Sequence, residues 1–322
     1  MTDWRPSSGP DAARSRAALL GRVRQFFSDR DVLPVCTPAL APYAASDPHT
    51  DSIAVRSVLS PGHFLNTSPE FCMKRLLAAG YPDIYSVCRV FRDGEIGRQH
   101  QPEFTMVEWY RLGFGLSSIV AETVQFLTLA LDDPQLAITF EQLDYAEAFR
   151  QYANIDVFST STDELADRAS ADLDLRHALA DDEDAWHALI LNTVVTPQFA
   201  PEKLTVLRHY PASQAALARI CPIDNRVADR FEVFCGATEL ANGYVELTDA
   251  DEQLQRIHTD REQRQTAGRP APAYDKNLIA ALKAGLPECA GVAVGLERLQ
   301  MVHDKTDDIG DVVTFAFEEH HD

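Results

Sequence analysis

The chain has 322 residues, 49 acidic and 29 basic, for a formal charge of −20 at pH 7. With 45% hydrophobic and 24% charged residues, it has the make-up of a folded globular protein, which excludes a largely disordered chain. The acidic excess, with no run of lysine and arginine, argues against a nucleic-acid clamp, because such a surface needs basic stripes to displace phosphate counterions.

Along the chain, Ala13, Ala17, Leu20, Val23 and Phe27 recur at helical spacing and predict an amphipathic helix over 12–30. Pro34 and Pro38 then force extended chain through Val32–Leu40. Short strands are expected over Ile53–Val58 and His63–Thr67. Ser68 suits an N-cap, Pro69 the first helical position and Glu70 the positive end of the dipole. That helix should run to about Ala79 and stop at Gly80. Ile84–Phe91 and Glu103–Tyr110 read as strands joined by the polar loop Arg92–Pro102. Residues 133–200 hold helical patches and the acid run Asp181-Asp-Glu-Asp184, read as an inserted helical region with a solvated face. Strands return at Leu204–Leu207 and Phe231–Cys235. Asn242-Gly243 signals a hairpin turn, and Thr248-Asp-Ala-Asp251 a capping box. Gly291-Val-Ala-Val-Gly295 reads as a buried strand entering a helix at Leu296, and Val312–Phe317 as a last strand. Strands outnumber βαβ units, so the expected fold class is α+β, an antiparallel β-sheet flanked by helices.

The six cysteines (36, 72, 88, 221, 235, 289) are scattered and form no C-x-x-C pair, which argues against a zinc site. The start, Met1-Thr-Asp-Trp-Arg-Pro, lacks a signal-peptide core. No apolar stretch approaches the roughly 20 residues that span a bilayer. The expectation is a cytoplasmic protein with free thiols.

Four segments carry candidate chemistry. In Phe91-Arg92-Asp93-Gly94-Glu95 and His100–Tyr110, strand alternation puts Phe104, Met106, Glu108 and Tyr110 on one face. That face suits a pocket for a flat ring and a cationic group; the plain alternative is a polar strand face in solvent. In Glu239-Leu-Ala-Asn-Gly-Tyr-Val-Glu246, two acids flank the expected turn and together suit magnesium on a phosphate, or are unrelated surface acids. Gly291–Arg298 is a strand–helix joint where glycine lets a ligand approach the backbone. Arg298 there sits in the first helical turn, disfavoured by the dipole unless it faces an anion or a ring; tight packing is the alternative. In Ser68-Pro69-Glu70, capping explains Ser68 and Pro69 fully, and a functional role is the minority reading. There is no Ser-His-Asp or Cys-His spacing and no Walker-type loop.

Together and in order, these segments resemble the three signature motifs of class II aminoacyl-tRNA synthetases over nearly the whole chain: helix 12–30 with Thr37-Pro38, Phe91-Arg92 through Tyr110, and Gly291–Leu299. Thr67-Ser-Pro-Glu70, His100-x-Pro-Glu-Phe-Thr105 and Glu239-Leu-Ala-Asn-Gly243 are similar to the lysyl branch. The first motif begins within about 12 residues of Met1, which leaves no room for the anticodon-binding barrel of that branch. With Trp4-Arg-Pro and Tyr210-Pro-Ala-Ser-Gln214, the chain resembles the family of elongation factor P (R)-β-lysine ligases. The resemblance implies one catalytic domain over 1–322 with a helical insertion at about 133–200, its partners being (R)-β-lysine, elongation factor P and a second copy in a homodimer. It implies ATP and Mg2+ as cofactors. Catalytic roles would fall to Arg92, Glu239 and Arg298. ATP would be held by these with Asp93, Gly94, Glu95, Gln101, Phe104, Leu240 and Gly295. Ser68, Pro69, Glu70, Glu108, Tyr110, Glu246 and Ala293 would bind the amino acid, and Glu239 with Glu246 the metal. The sequence departs from the pattern at Gly94 (usually Glu, with Glu95 one place later), Gln101 (usually Asn), Glu297 (usually Asp) and Ala293, where lysyl synthetases usually have glycine. Main-chain groups at Asp93 and Gly94 would then serve the adenine. A ligase with another acceptor, or a non-catalytic amino-acid or nucleotide sensor, stays open at this point.

Overall fold

The computed structural model describes residues 4–56 and 62–317. The distal part of the strand expected over Ile53–Val58 (57–58) and the terminal His320-His321 pair lie outside these residues. Among the described residues there are eleven strands: β1 Leu33–Pro34, β2 Leu40–Ala41, β3 Ala54–Val55, β4 His63–Leu65, β5 Ile84–Phe91, β6 Glu103–Leu112, β7 Glu141–Asp144, β8 Leu204–Arg208, β9 Arg230–Cys235, β10 Thr238–Val245 and β11 Cys289–Gly295. Eight of them form one sheet in the order β1-β5-β6-β11-β10-β9-β8-β7, and β2-β4-β3 form a small one. The large sheet is antiparallel except at its rims, where β1 joins β5 and β7 joins β8 in parallel.

One face of the sheet is closed by helices α1 (Pro10–Ser28) and α3 (Leu116–Ala130). Proline at the first position of α1 fits, since its missing N–H has no helical partner there. Leu19, Val23, Phe26 and Phe27 are its buried stripe. Phe27 stacks on Tyr85 of β5 at 4.2 Å, and Trp109 of β6 meets Phe126 of α3 at 4.9 Å. The buried Trp109 indole donates to Glu122 at 3.1 Å, so its polar edge is satisfied. Among the described residues no helix is long and apolar enough to cross a membrane.

Four expectations are corrected. Val312–Phe317 is not a strand: its backbone pairs with Ser7 and with the Gln101 side chain rather than with the sheet. Asn242-Gly243 lies inside β10; the chain reverses at Gly236, with φ +55, between β9 and β10. Helix Ala250–Thr266 is capped by Asp249, which accepts from the N–H of Asp251 and Glu252, not by Thr248. Helix α2 runs Glu70–Ala78, one residue later than expected, and Ser68 Oγ accepts the Glu70 N–H at 2.9 Å. The short helical segments between Tyr145 and Gln198 pack on a core of their own that includes Tyr145, Phe149, Trp186 and Ile190. They begin only after β7, which belongs to the main sheet.

Candidate active site

The period-two alternation of β6 builds the site. Val107 and Trp109 point into the core beneath α1 and α3, so Phe104, Met106, Glu108 and Tyr110 point the other way and line a cavity of about 2010 Å³. The neighbouring strands add Ala293 and Gly295 from β11 and Glu239, Leu240 and Tyr244 from β10.

At one end the floor is a cluster of buried acids around one cation. Lys74 of α2 is 1% exposed and pairs with Glu70 at 2.7 Å and Glu246 at 2.5 Å. Tyr244 donates to Glu70 at 2.7 Å. Glu108 accepts from Ser68 at 2.9 Å and from Tyr110 at 2.8 Å. Burial first, then the repulsion of Glu70, pushes Glu108 up to about 8. Burial likewise raises Glu246 to about 8, against the pull of Lys74. Burial opposes charge on Lys74 too, but the two touching carboxylates outweigh it and hold the ammonium. Gly291 is required here: a Cβ would come within 2.5 Å of the Tyr110 ring and 2.6 Å of a Glu246 oxygen.

At the other end Arg92 lies 5.1 Å over the Phe104 ring. Its Nε is buried with no protein partner, and only Glu95, at 3.5 Å, forms an ion pair with it among the described residues. Such an unfilled donor is costly unless an anion takes it. Arg298, in the first turn of helix Leu296–Asp304, reaches Glu239 at 3.3 Å and His100 Nε2 at 2.5 Å. Burial, then the Arg298 charge, lowers His100 and keeps it a neutral acceptor. Glu232 of β9 also lines the cavity; burial, then the charge of Glu239, pushes it up to about 7. It accepts from Tyr210 at 2.6 Å and Arg230 at 2.7 Å. Behind the site, buried Glu297 accepts from Arg16 of α1 at 2.9 Å and from the Thr105 N–H of β6 at 2.8 Å. It ties together the three segments singled out in the sequence.

Residues 1–319 match the family of class II tRNA synthetases (D, K and N). The chain belongs to this family. Similar proteins include the elongation factor P–(R)-β-lysine ligase of Avibacterium paragallinarum, 40% identical over 98% of each chain. The protein of that name from Salmonella dublin is 42% identical over 97% of each chain.

In this class II chain, the residues expected from the sequence line the same cavity, with two exceptions. Asp93 and Gly94 do not. The Asp93 N–H is taken by the Asp51 carbonyl at 2.9 Å, and Gly94 adopts φ +76 in the turn that follows, so the Asp93 amide is not free for an adenine. The pairing of Glu239 with Glu246 around one metal also fails. Seven residue steps along extended chain separate them by roughly 20 Å, and Glu246 is engaged with Lys74. Glu232, across the β9–β10 hairpin, is the carboxylate whose charge meets that of Glu239. Gln101 lines the cavity, but its Oε1 holds the Phe317 N–H at 2.6 Å. The acid run keeps its solvated face, with Asp181, Asp182 and Glu183 exposed. Asp182 caps helix Glu183–Ile190, Asp184 accepts from Ser213 at 2.8 Å, and all four acids lie on the cavity wall. Lys74, His100 and Glu232 were missed as site residues. Helical i,i+4 spacing from Glu70 was the one signal for Lys74.

Proposed function

We propose that this chain activates (R)-β-lysine with ATP as an acyl-adenylate and transfers the β-lysyl group to the ε-amine of a lysine on elongation factor P. The charge of the pocket floor carries the reading. Glu70, Glu108 and Glu246 surround a single ammonium, Lys74, so two formal negative charges are left, the number a diammonium ligand supplies. The names of both relatives support the amino acid and the acceptor.

In the first step a carboxylate oxygen of the amino acid attacks the α-phosphorus, an O–P bond forms and pyrophosphate leaves. Arg92 offers its guanidinium, which lines the cavity, where negative charge grows. Phe104 and Arg298 flank the adenine, with Glu95, Gln101, Leu240 and Gly295 around the nucleotide. Ser68, Pro69, Tyr110 and Ala293 shape the amino-acid end. Ala293 pairs across the sheet with Glu108, so its methyl bears on the acid that receives an amine. Glu239, with Glu232 electrostatically coupled to it from β9, offers the hard oxygen donors that would hold Mg2+. Bound there, magnesium would neutralise phosphate charge. In the second step the acceptor amine attacks the acyl carbon, an amide forms with loss of a proton, and AMP leaves. The protein positions and neutralises, and needs no covalent intermediate of its own. We read the helical stretch before β8 as an insertion that walls the cavity. A homodimer through the first motif would cover the exposed Leu33 and Leu40.

The test is the mass of elongation factor P after incubation with the protein, ATP and β-lysine. One added lysyl residue on one lysine is expected, with pyrophosphate exchange stronger for β-lysine than for α-lysine. Label on tRNA instead, or a preference for α-lysine, overturns the reading. A pH dependence follows as well. Glu108, raised to about 8 by burial and by Glu70, holds a proton in the free protein at neutral pH and must release it to receive an ammonium group. Affinity should therefore rise as pH increases toward about 8, with proton release at neutral pH. Calorimetry in two buffers of different ionisation enthalpy reads that release; identical heats would remove Glu108 from the amine site.

A further inference from the structure

Away from the pocket floor, a ring nitrogen of His209, Sγ of Cys221 and a carboxylate oxygen of Asp229 lie within 4.8 Å of one another. All three belong to the segment joining β8 to β9. We propose that they form a binding site for a zinc-class divalent transition metal, with imidazole, thiolate and carboxylate as ligands and a fourth position open to water.

The absence of a C-x-x-C pair does not bear on such a site, because its ligands are brought together by folding rather than by local spacing. The backbone pins each one. The His209 N–H donates to the Arg230 carbonyl, that of Cys221 to Val227 and that of Asp229 to Arg219, each at 2.9 Å. The side chains are oriented from behind. His209 Nδ1 lies 3.0 Å from the Asp144 carboxylate, which places the ring proton on Nδ1 and leaves Nε2 with its lone pair. A carboxylate behind a histidine is the arrangement that orients metal-binding imidazoles. Arg219 binds Asp229 through Oδ2 alone, at 2.7 and 3.2 Å, which leaves Oδ1 for a cation. Cys221 and Asp229 are buried, and His209 is partly exposed, so an ion can enter beside the imidazole. Between the ligands, residues 212–217 line the cavity wall. A bound ion would brace that wall from behind.

The test uses the metal-free full chain with excess Mg2+ present, titrated with Co2+. One equivalent is expected to bind with a thiolate-to-cobalt charge-transfer band, abolished when Zn2+ is added. Cys221→Ser should lose the band and Cys235→Ser keep it. Asp144→Asn, which removes the positioning residue behind His209, should weaken Co2+ by about 10–100-fold. Absence of the band, or a band that survives Cys221→Ser, overturns the proposal. Should Cys221→Ser fail to fold, His209→Gln decides: unchanged Co2+ affinity in that variant is equally fatal.

Discussion

Arg92→Lys is expected to slow adenylate formation by roughly 10²–10³-fold, the usual cost of losing one well-placed donor to a charge that develops in the transition state. The Arg92 guanidinium lies over the Phe104 ring at 5.1 Å and presents a buried Nε that no protein acceptor fills. A lysine ammonium keeps the charge but loses the planar fork and its geometry toward phosphate and carboxylate oxygens. The fold should be unaffected, because the only ion pair of Arg92 among the described residues is the long one to Glu95, at 3.5 Å. ATP–pyrophosphate exchange at saturating substrates measures the effect. Exchange at the unmodified rate would take Arg92 out of the reacting centre.

Lys74→Met should destabilise the free protein by about 3–5 kcal/mol near pH 8, the range for breaking a buried ion pair from one side. Methionine matches the length of the stem but leaves Glu70 and Glu246 without the ammonium now 2.7 and 2.5 Å away. The sign with pH follows from the acids. Glu246 and Glu108 already titrate near 8 instead of the ordinary 4.5, and losing Lys74 moves Glu246 further up. The folded state then binds more protons than the unfolded chain between about pH 4.5 and 8, so stability falls as pH rises through that window. The loss should be smaller near pH 6, where protonated acids are cheaper to bury. Urea unfolding at the two pH values measures this. A loss independent of pH would mean that Lys74 matters through packing alone.

Much of the site was legible because it lies on regular elements. The alternation along Glu103–Leu112 divides core from cavity by itself. The strand–helix joint at Gly295-Leu296 falls where the glycine and the apolar run place it. Lys74 was not legible, since a lysine in a short amphipathic helix reads as solvated until α2 docks its acid and base onto Glu246.

The metal pair shows why local signals fail. Asn-Gly is the strongest short hairpin signal, and reading a turn at 242–243 made Glu246 the partner of Glu239. Gly243 serves another purpose: a Cβ there would come within 2.7 Å of the Phe231 ring and 2.8 Å of the Gly291 carbonyl. Close approach of three strands, not a turn, demands it. With the reversal at Gly236 instead, Glu239 faces Phe234 across the hairpin, and Glu232, opposite Asn242, is the acid on that neighbouring strand whose charge it feels.

The order and spacing of its motifs, a property of the chain alone, determined the family and the class of fold, because strand alternation and helix starts are local. Which acids face one another, where the one buried ammonium sits, and that the acid run at 181–184 walls the cavity were decided only by tertiary structure. Charges in a pocket acquire their partners from strands and helices distant in sequence, and no spacing along the chain encodes that.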